Sequence, residues 1–235
     1  MKAAIMQPYF YPYIGYFQLI HAADRFILFD DVQYIRHGWI NRNRILKPGE
    51  GFQYIIMPLA THTRDSLIRD IRPADAEKNK DKILRQLEHY KKTAPCYKAV
   101  RALIGDCFST HQDTIAGMNG HCLKTTCDYI GLDFKIELSS QMNFDYSQVQ
   151  DAGGWALKMS EQLQATTYIN PPGGKALFNN SQFEASNIQL QFLQPGLKAY
   201  SQRRAHFEPG LSIIDVMMFN EPAAIKDLLN DYQLV

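Results

Sequence analysis

Residues 3–6 (Ala-Ala-Ile-Met) and 26–29 (Phe-Ile-Leu-Phe) form two short apolar runs on either side of a helical pattern, a spacing that constrains the fold more than any other feature. Each run has the length of a buried strand. Between them Phe17, Leu19, Ile20 and Ala23 recur at helical intervals. A strand, a helix and a second strand in so short a span predict a right-handed parallel crossover. The first strand does not run straight into the helix: Pro8 and Pro12 interrupt it, and Tyr9, Tyr11, Tyr13 and Tyr16 fill the interval. Ligands of open α/β sheets bind outside the carboxyl ends of the strands. This loop of hydrogen-bonding rings is therefore the first candidate site.

Further along, residues 52–59 and 66–71 read as two more strands joined by a turn over 61–65. From 75 to 93 the period changes to that of a helix, with Ile83, Leu84, Leu87 and Tyr90 on one face and lysines opposite. Pro95 separates it from a helix over 97–108, and a third runs from about 114 to 129, stopping near Gly131. The last third returns to alternation: strand 134–138, helix 155–163, strand 167–170, a helix or turn around Phe183, strand 188–193, an apolar stretch over 211–219 and a helix over 222–229. The expected architecture is one α/β domain over 1–235. Its sheet is mostly parallel and Rossmann-like, and a helical insertion or lobe occupies about 75–131.

Composition excludes several classes of partner. The 235 residues carry a net charge of +1, so nothing in the balance asks for nucleic acid or an anionic membrane surface. No apolar stretch reaches the roughly 20 residues of a membrane span. The start of the chain shows no signal-peptide core. Cys96, Cys107, Cys122 and Cys127 form no CxxC pair and fall in the helical region. Reduced thiols in a cytoplasmic protein are expected.

Three groups of residues have the chemistry of a site. Asp30 and Asp31 follow the second strand, where a carboxylate holds an amine or hydroxyl or acts as a base; the plainer role is a cap or an ion pair with a nearby arginine. Tyr34, Trp39, Asn41, Arg42, Asn43 and Arg44 interleave aromatic, amide and guanidinium groups, the components of a nucleotide-sugar pocket. Asn170, Gly173, Gly174 and Lys175 stand at a strand-to-turn junction, where paired glycines allow close backbone approach and the lysine neutralises an anion. The junction is neither a Walker loop nor GxGxxG. The histidines lack metal-ligand spacing, so no metal is expected, and His37 stands out among His37, His62 and His206 by its neighbours. Asp215 lies inside an apolar run and must be paired, hydrogen-bonded or protonated.

Met6-Gln7-Pro8-Tyr9-Phe10 with Gly15-Tyr16-Phe17, Asp30-Asp31-Val32-Gln33-Tyr34, Gly38-Trp39-Ile40-Asn41-Arg42-Asn43-Arg44-Ile45, Tyr168-Ile169-Asn170 with Gly173-Gly174, and Leu211-Ser212-Ile213-Ile214-Asp215-Val216 with Met218-Phe219-Asn220 together resemble the WbqC-like proteins. That family occurs in gene clusters for surface polysaccharide (O-antigen), some beside genes for amino sugars carrying amino-acyl groups. The resemblance implies the tailoring of a nucleotide-linked sugar. Tyr13-Ile14-Gly15-Tyr16 also stands where HIGH-type nucleotidylyl transferases have two histidines, both tyrosine here.

The expected function is N-acyl transfer, an aminoacyl or glycyl group included, to a nucleotide-linked amino sugar. Asp31 or His37 would deprotonate the amine. Trp39, Asn41, Arg42 and Arg44 would grip the nucleotide sugar, with Tyr9, Tyr13 and Tyr16 lining the acceptor and Gln7, Asp30, Tyr34 and Asn43 as further substrate-binding residues. Backbone N–H groups near Gly173 and Gly174 would hold the oxyanion or the diphosphate. No bound cofactor is expected; the co-substrate is an activated acyl donor, as a coenzyme A or acyl-carrier-protein thioester or an adenylate. The alternatives are a nucleotidylyl transferase or ATP-dependent ligase using Lys175 and the arginines on phosphates, and a non-catalytic sugar-binding assembly protein.

Overall fold

β1 (Lys2–Met6) passes through the tyrosine-rich loop into α1 (Ile14–Ala22), and the chain returns in β2 (Arg25–Leu28). The two strands pair in parallel, Ala3 opposite Arg25 and Met6 opposite Leu28, so the predicted strand–helix–strand unit is present. This computed structural model describes residues 1–235, the side chain of Ala76 left aside. On its other side β1 pairs in parallel with a distant segment, β5 (Thr167–Asn170), and β6 (Gln189–Pro195) adds in parallel beyond it. β7 (Tyr232–Leu234) closes that edge antiparallel to β6. The order β2-β1-β5-β6-β7 makes a mixed α/β fold with a mostly parallel central sheet.

Alternation along the strands supplies two cores. Ala4, Phe26, Leu28 and Ile169 face a large apolar cluster shared with α1, α3 (Tyr97–Ser109), α4 (Ile115–Ile130) and α7 (Ile213–Phe219). Ile5, Ile27 and Tyr168 point to the opposite face, against α5 (Gly154–Gln162) and α6 (Asn180–Ala185). Successive side chains of a strand alternate between faces and both faces are covered, so the inner stretches of these strands, Ala3–Ile5, Phe26–Leu28 and Tyr168–Ile169, are continuously apolar while Lys2, Arg25 and Asn170 stand at the ends. All four cysteines are free and buried. No helix is long and apolar enough to cross a membrane among the described residues.

Between β2 and β5 the chain leaves the sheet. β3 (Arg42–Leu46) and β4 (Phe52–Ile56) form an antiparallel hairpin, followed by α2 (Ala76–Gln86), a 3-10 turn over Glu88–Lys92, α3 and α4. α4 has the expected ends: the Thr114 hydroxyl accepts from the Gly117 N–H, and Gly131 takes φ +77° at the carboxyl end. α8 (Pro222–Leu229) is the closing helix.

Two strand expectations are corrected. Residues 66–71 contain a 3-10 turn, Ile68–Asp70, and lie along the loop after β2 without forming a strand. A single Gln33–Leu67 bridge joins them to it, with backbone bonds from Tyr34 N–H to the Ser66 carbonyl, Ile68 N–H to that of Val32 and Arg69 N–H to that of Asp30. The partner of β4 is instead β3, inside the polar–aromatic segment. Its strand signal is hidden because the inward position 43 is an asparagine, its amide donating to the Phe10 and Tyr11 carbonyls at 3.0 Å each. Residues 134–138 reach the sheet only at their end, where Leu28 N–H donates to the Glu137 carbonyl and Leu138 bridges Leu28.

Candidate functional site

From β1 the chain crosses to β2 on one side, while β5 and β6 build outward on the other. The carboxyl ends of β1 and β5 thus flank a topological switch point, where the loops leave in opposite directions and open a crevice. A cleft of about 550 Å³ lies there. Met6, Tyr9, Pro12, Tyr13 and Tyr16 line it from the β1 side, and Asn170, Pro171, Gly173 and Gly174 from the β5 side. Trp39, Asn43 and Arg44 close it from the hairpin, and Leu197 and Gly210 from the loop after β6.

The β1 loop is held by its carbonyls. Gln7 C=O accepts from Tyr16 Oη at 2.8 Å, Pro8 C=O from Asn119 Nδ2 at 2.7 Å, and Pro12 C=O from Ile213 N–H at 2.8 Å. Asn43 serves Phe10 and Tyr11, and Ser212 Oγ adds a second donor to Tyr11 C=O at 2.7 Å. Three buried polar side chains from α4, β3 and the start of α7 therefore satisfy a loop that has no ladder of its own. Tyr11 itself turns into the core at φ +40°. The four tyrosines divide: Tyr11 is packing, Tyr16 is a buried brace at the floor, and Tyr9 and Tyr13 face the cleft.

A Cβ at position 15 would lie 2.5 Å from the Tyr13 ring, so glycine there lets the ring fold back over the first turn of α1. Burial raises the phenol pKa of Tyr9, helped by neighbouring Tyr13, and burial alone raises that of Tyr13. Both stay protonated at neutral pH and act as neutral hydrogen-bonding groups.

Arg44 is held between rings, its Cζ 5.4 Å from the Trp39 centroid and 4.9 Å from that of Phe52. One terminal nitrogen donates to the Gly210 carbonyl at 3.1 Å, while Nε is buried with no partner. Across the cleft, Tyr168 Oη donates to Asn170 Oδ1 at 2.9 Å and Asn170 Nδ2 to the Pro171 carbonyl at 3.0 Å. A Cβ at position 174 would sit 2.2 Å from Asn170 Nδ2, so the second glycine is required by that amide. Gly174 N–H is engaged with the Pro171 carbonyl at 3.1 Å, whereas space beside Gly173 is open.

A matching family model spans residues 7–227, every cleft-lining residue but Met6 among them, under the description WbqC-like protein family. The chain belongs to that family. It is also 29% identical over 236 residues to the uncharacterized protein Rv1507c of Mycobacterium tuberculosis (strain ATCC 25618 / H37Rv), covering 97% of each chain. No solved structure matches at a significant level.

The other candidate residues of this WbqC-like chain lie outside the cleft lining. Asp30 is 1% exposed and accepts from Ser139 Oγ (3.0 Å), Ser140 N–H (3.0 Å) and Ser140 Oγ (2.7 Å). Asp31 pairs with Arg69 at 2.6 Å and accepts from Tyr146 Oη at 3.1 Å. His37 is an exposed residue at φ +64° whose carbonyl accepts from Arg42. Arg42 also donates to the Gly38 carbonyl and lies 4.7 Å over the Tyr54 ring. Tyr34 Oη donates to Asn41 Oδ1 at 2.9 Å, and Asn41 Nδ2 to the Met57 carbonyl. Lys175 is turned over the Phe192 ring, 5.8 Å from its centroid.

Met6, Pro12, Pro171, Leu197 and Gly210 carry no chemical signature in the sequence, and only the strand ends at 6 and 170 could have pointed to them. Asp215 braces the site from behind. Buried completely, it accepts from Tyr90 Oη and Tyr200 Oη at 2.6 Å each and from Gln202 Nε2 at 2.9 Å. Tyr90 Oη in turn accepts from Leu46 N–H at 3.0 Å. The network joins β3, which carries Arg44, to the loop that supplies Gly210. Burial is the main cause of a raised Asp215 pKa, opposed by the three donors.

Proposed function

We propose that this protein is an N-acyltransferase acting on a nucleotide-linked amino sugar in surface-polysaccharide assembly, with the switch-point cleft as the acceptor site. The observation that carries this reading is the convergence of Tyr9, Tyr13, Trp39 and Arg44 at the carboxyl ends of β1 and β5. Aromatic walls suit a sugar ring, and a guanidinium with free donors suits a phosphate. The volume falls in the range of small-molecule sites, roughly 300–1,000 Å³.

In the reaction the amine nitrogen attacks the carbonyl carbon of the donor, forming the amide bond. The tetrahedral oxyanion collapses as the bond to the thiol or phosphate leaving group breaks. The neutral phenols of Tyr9 and Tyr13 and the open backbone beside Gly173 are the donors for that oxyanion. The amine proton passes to solvent or to the departing leaving group, since Asp31 is occupied by Arg69 and Tyr146 and neither it nor His37 lines the cleft.

A second reading, a sugar-binding assembly protein, is favoured by one feature: the lining contains no carboxylate and no imidazole. Thermal-shift and calorimetric titration with nucleotide-linked amino sugars tests the common part, since a ligand specific to the native state raises its stability by mass action. Mass-detected acyl transfer in a mixture containing acyl donors separates the two. Sugar binding without transfer to any donor supports the assembly role. No binding of any nucleotide-linked sugar removes both.

A further inference from the structure

The loop leaving β2 and the loop following β4 run side by side, and a second cavity of about 620 Å³ opens between them. Its walls are fixed: Gln33 bridges Leu67, Gln33 Nε2 donates to the Arg64 carbonyl at 2.8 Å, and Tyr34 N–H donates to the Ser66 carbonyl at 3.0 Å. The lining joins Tyr34 and His62, edge-on with centroids 5.3 Å apart, to Ile35, Arg36 and Arg64. Ile35 is 63% exposed at the rim. Neither Arg36 nor Arg64 enters an ion pair among the described residues. The nearest acidic groups in sequence are not part of the lining: Asp31 is spent on Arg69 and Tyr146, and Asp65 faces the Gln33 amide at 3.5 Å. Two free guanidiniums, a phenol face and no carboxylate describe an anion site with an aromatic wall.

The same loop reaches both cavities. Arg36 and Trp39 are three residues apart, so their Cα atoms lie within roughly 11 Å of each other even with the chain extended. Tyr34 is further tied through Asn41 to the start of β3, which carries Asn43 and Arg44 into the cleft.

We propose that this second cavity binds a phosphate-bearing small molecule, Arg36 and Arg64 taking the phosphate oxygens and Tyr34 flanking the organic part. Guanidinium forks match phosphate oxygens in pairs, which a solvated lysine does not do. Its role as the donor site rests on the reading of the cleft as the acceptor site; the anion binding does not. The shared chemistry is that of a phosphate ester or anhydride, whether from an adenylate or from coenzyme A.

The test is calorimetric titration of the whole protein with inorganic pyrophosphate. Wild type and Arg44→Ala are expected to bind it alike, and Arg36→Ala/Arg64→Ala to bind it at least about tenfold more weakly. Arg36→Gln/Arg64→Gln keeps the stems and is expected to match the alanine pair, with the thermal midpoint unchanged. Absence of pyrophosphate binding at millimolar concentration overturns the proposal, as do equal binding by the double variants and loss through Arg44→Ala alone. Displacement of pyrophosphate by AMP or by coenzyme A supports the donor role and selects the source; displacement by neither overturns that role. A nucleotide-linked amino sugar titrated into Arg36→Ala/Arg64→Ala should bind as to wild type. If it binds to no form while the pyrophosphate results stand, the reading of the cleft fails and the anion site survives.

Discussion

β1 and β2 are neighbours in one parallel sheet, and both end in residues with the chemistry of a site, yet the two ends are built to opposite effect. After β2, Asp30 has both carboxylate oxygens filled by Ser139 and Ser140, and Asp31 has both filled by Arg69 and Tyr146. After β1, the backbone carbonyls absorb the available donors, the phenols of Tyr9 and Tyr13 face the cleft, and the Nε of Arg44 has no partner among the described residues. The first corner is satisfied and structural. The second keeps unspent hydrogen-bonding capacity beside a cavity, which is what a binding site must hold in reserve.

The sharpest way to break this contrast is to remove one side chain from each corner. Arg44→Ala should weaken nucleotide-linked amino-sugar binding by about 2–3 kcal/mol, a hot-spot loss for a desolvated arginine, with the thermal midpoint little moved. Asp31→Asn should leave that affinity within about twofold and cost about 1–2 kcal/mol of stability, since the carboxylate is nearly buried and charge-assisted but the amide still accepts from Tyr146 and half-exposed Arg69 can turn to water. Equal losses of binding from both would erase the distinction; calorimetry on the two variants decides it.

The brace behind the cleft gives the next effect. Tyr90→Phe removes a donor to buried Asp215 and the acceptor of Leu46 N–H, and should cost about 2 kcal/mol in urea unfolding at pH 7. Asp215 has a folded pKa raised above its unfolded value. Its contribution to stability is therefore fully present below the unfolded pKa and is lost as pH rises through the folded one. Taking away a donor raises the folded value further, so the Tyr90→Phe deficit should grow from pH 4 to pH 7. A deficit independent of pH would show that Asp215 does not titrate with folding.

Gly15→Ala separates binding from stability more finely. The added Cβ displaces the Tyr13 ring, a strain of about 1–2 kcal/mol that alanine's helix propensity offsets by about 1. Stability should change by less than about 1 kcal/mol, while sugar affinity falls severalfold. The smallest expected effect is that of pH on the phenols. With the Tyr9 and Tyr13 pKa values raised by burial, the affinity for the N-acetylated sugar, which has no titrating amine, should stay flat from pH 7 to 9. A decline there that Tyr9→Phe or Tyr13→Phe abolishes would mean that a phenol ionises.

Much of the cleft was legible before folding was considered. Tyr9, Tyr13, Tyr16, Trp39, Asn43, Arg44, Asn170, Gly173 and Gly174 were all candidates by residue type, and all line it. The glycine at 174 was legible as a close approach, though the approaching group is the protein's own Asn170 amide. Lys175, Arg42 and Asn41 were equally plausible by type but lie elsewhere, because a guanidinium or amide finds a carbonyl or ring within a few residues as readily as it finds a ligand. Leu197 and Gly210 were invisible: they are ordinary loop residues, Leu197 following Gly196, which bonds Asp231 and Gln18, and Gly210 held by Arg44.

The sequence by itself determined the strand–helix–strand opening, the helices over the middle of the chain and the parallel β5–β6 pair, since each is written in local periodicity that neighbours only reinforce. Tertiary structure decided the partner of β4, because Asn43 is polar in sequence and becomes buried only when it finds the carbonyls of Phe10 and Tyr11. It also decided which polar residues are spent and which remain free. That is a property of partners distant along the chain, as Asp30 with Ser140 and Asp215 with Tyr90 make plain, and no spacing within one segment records it.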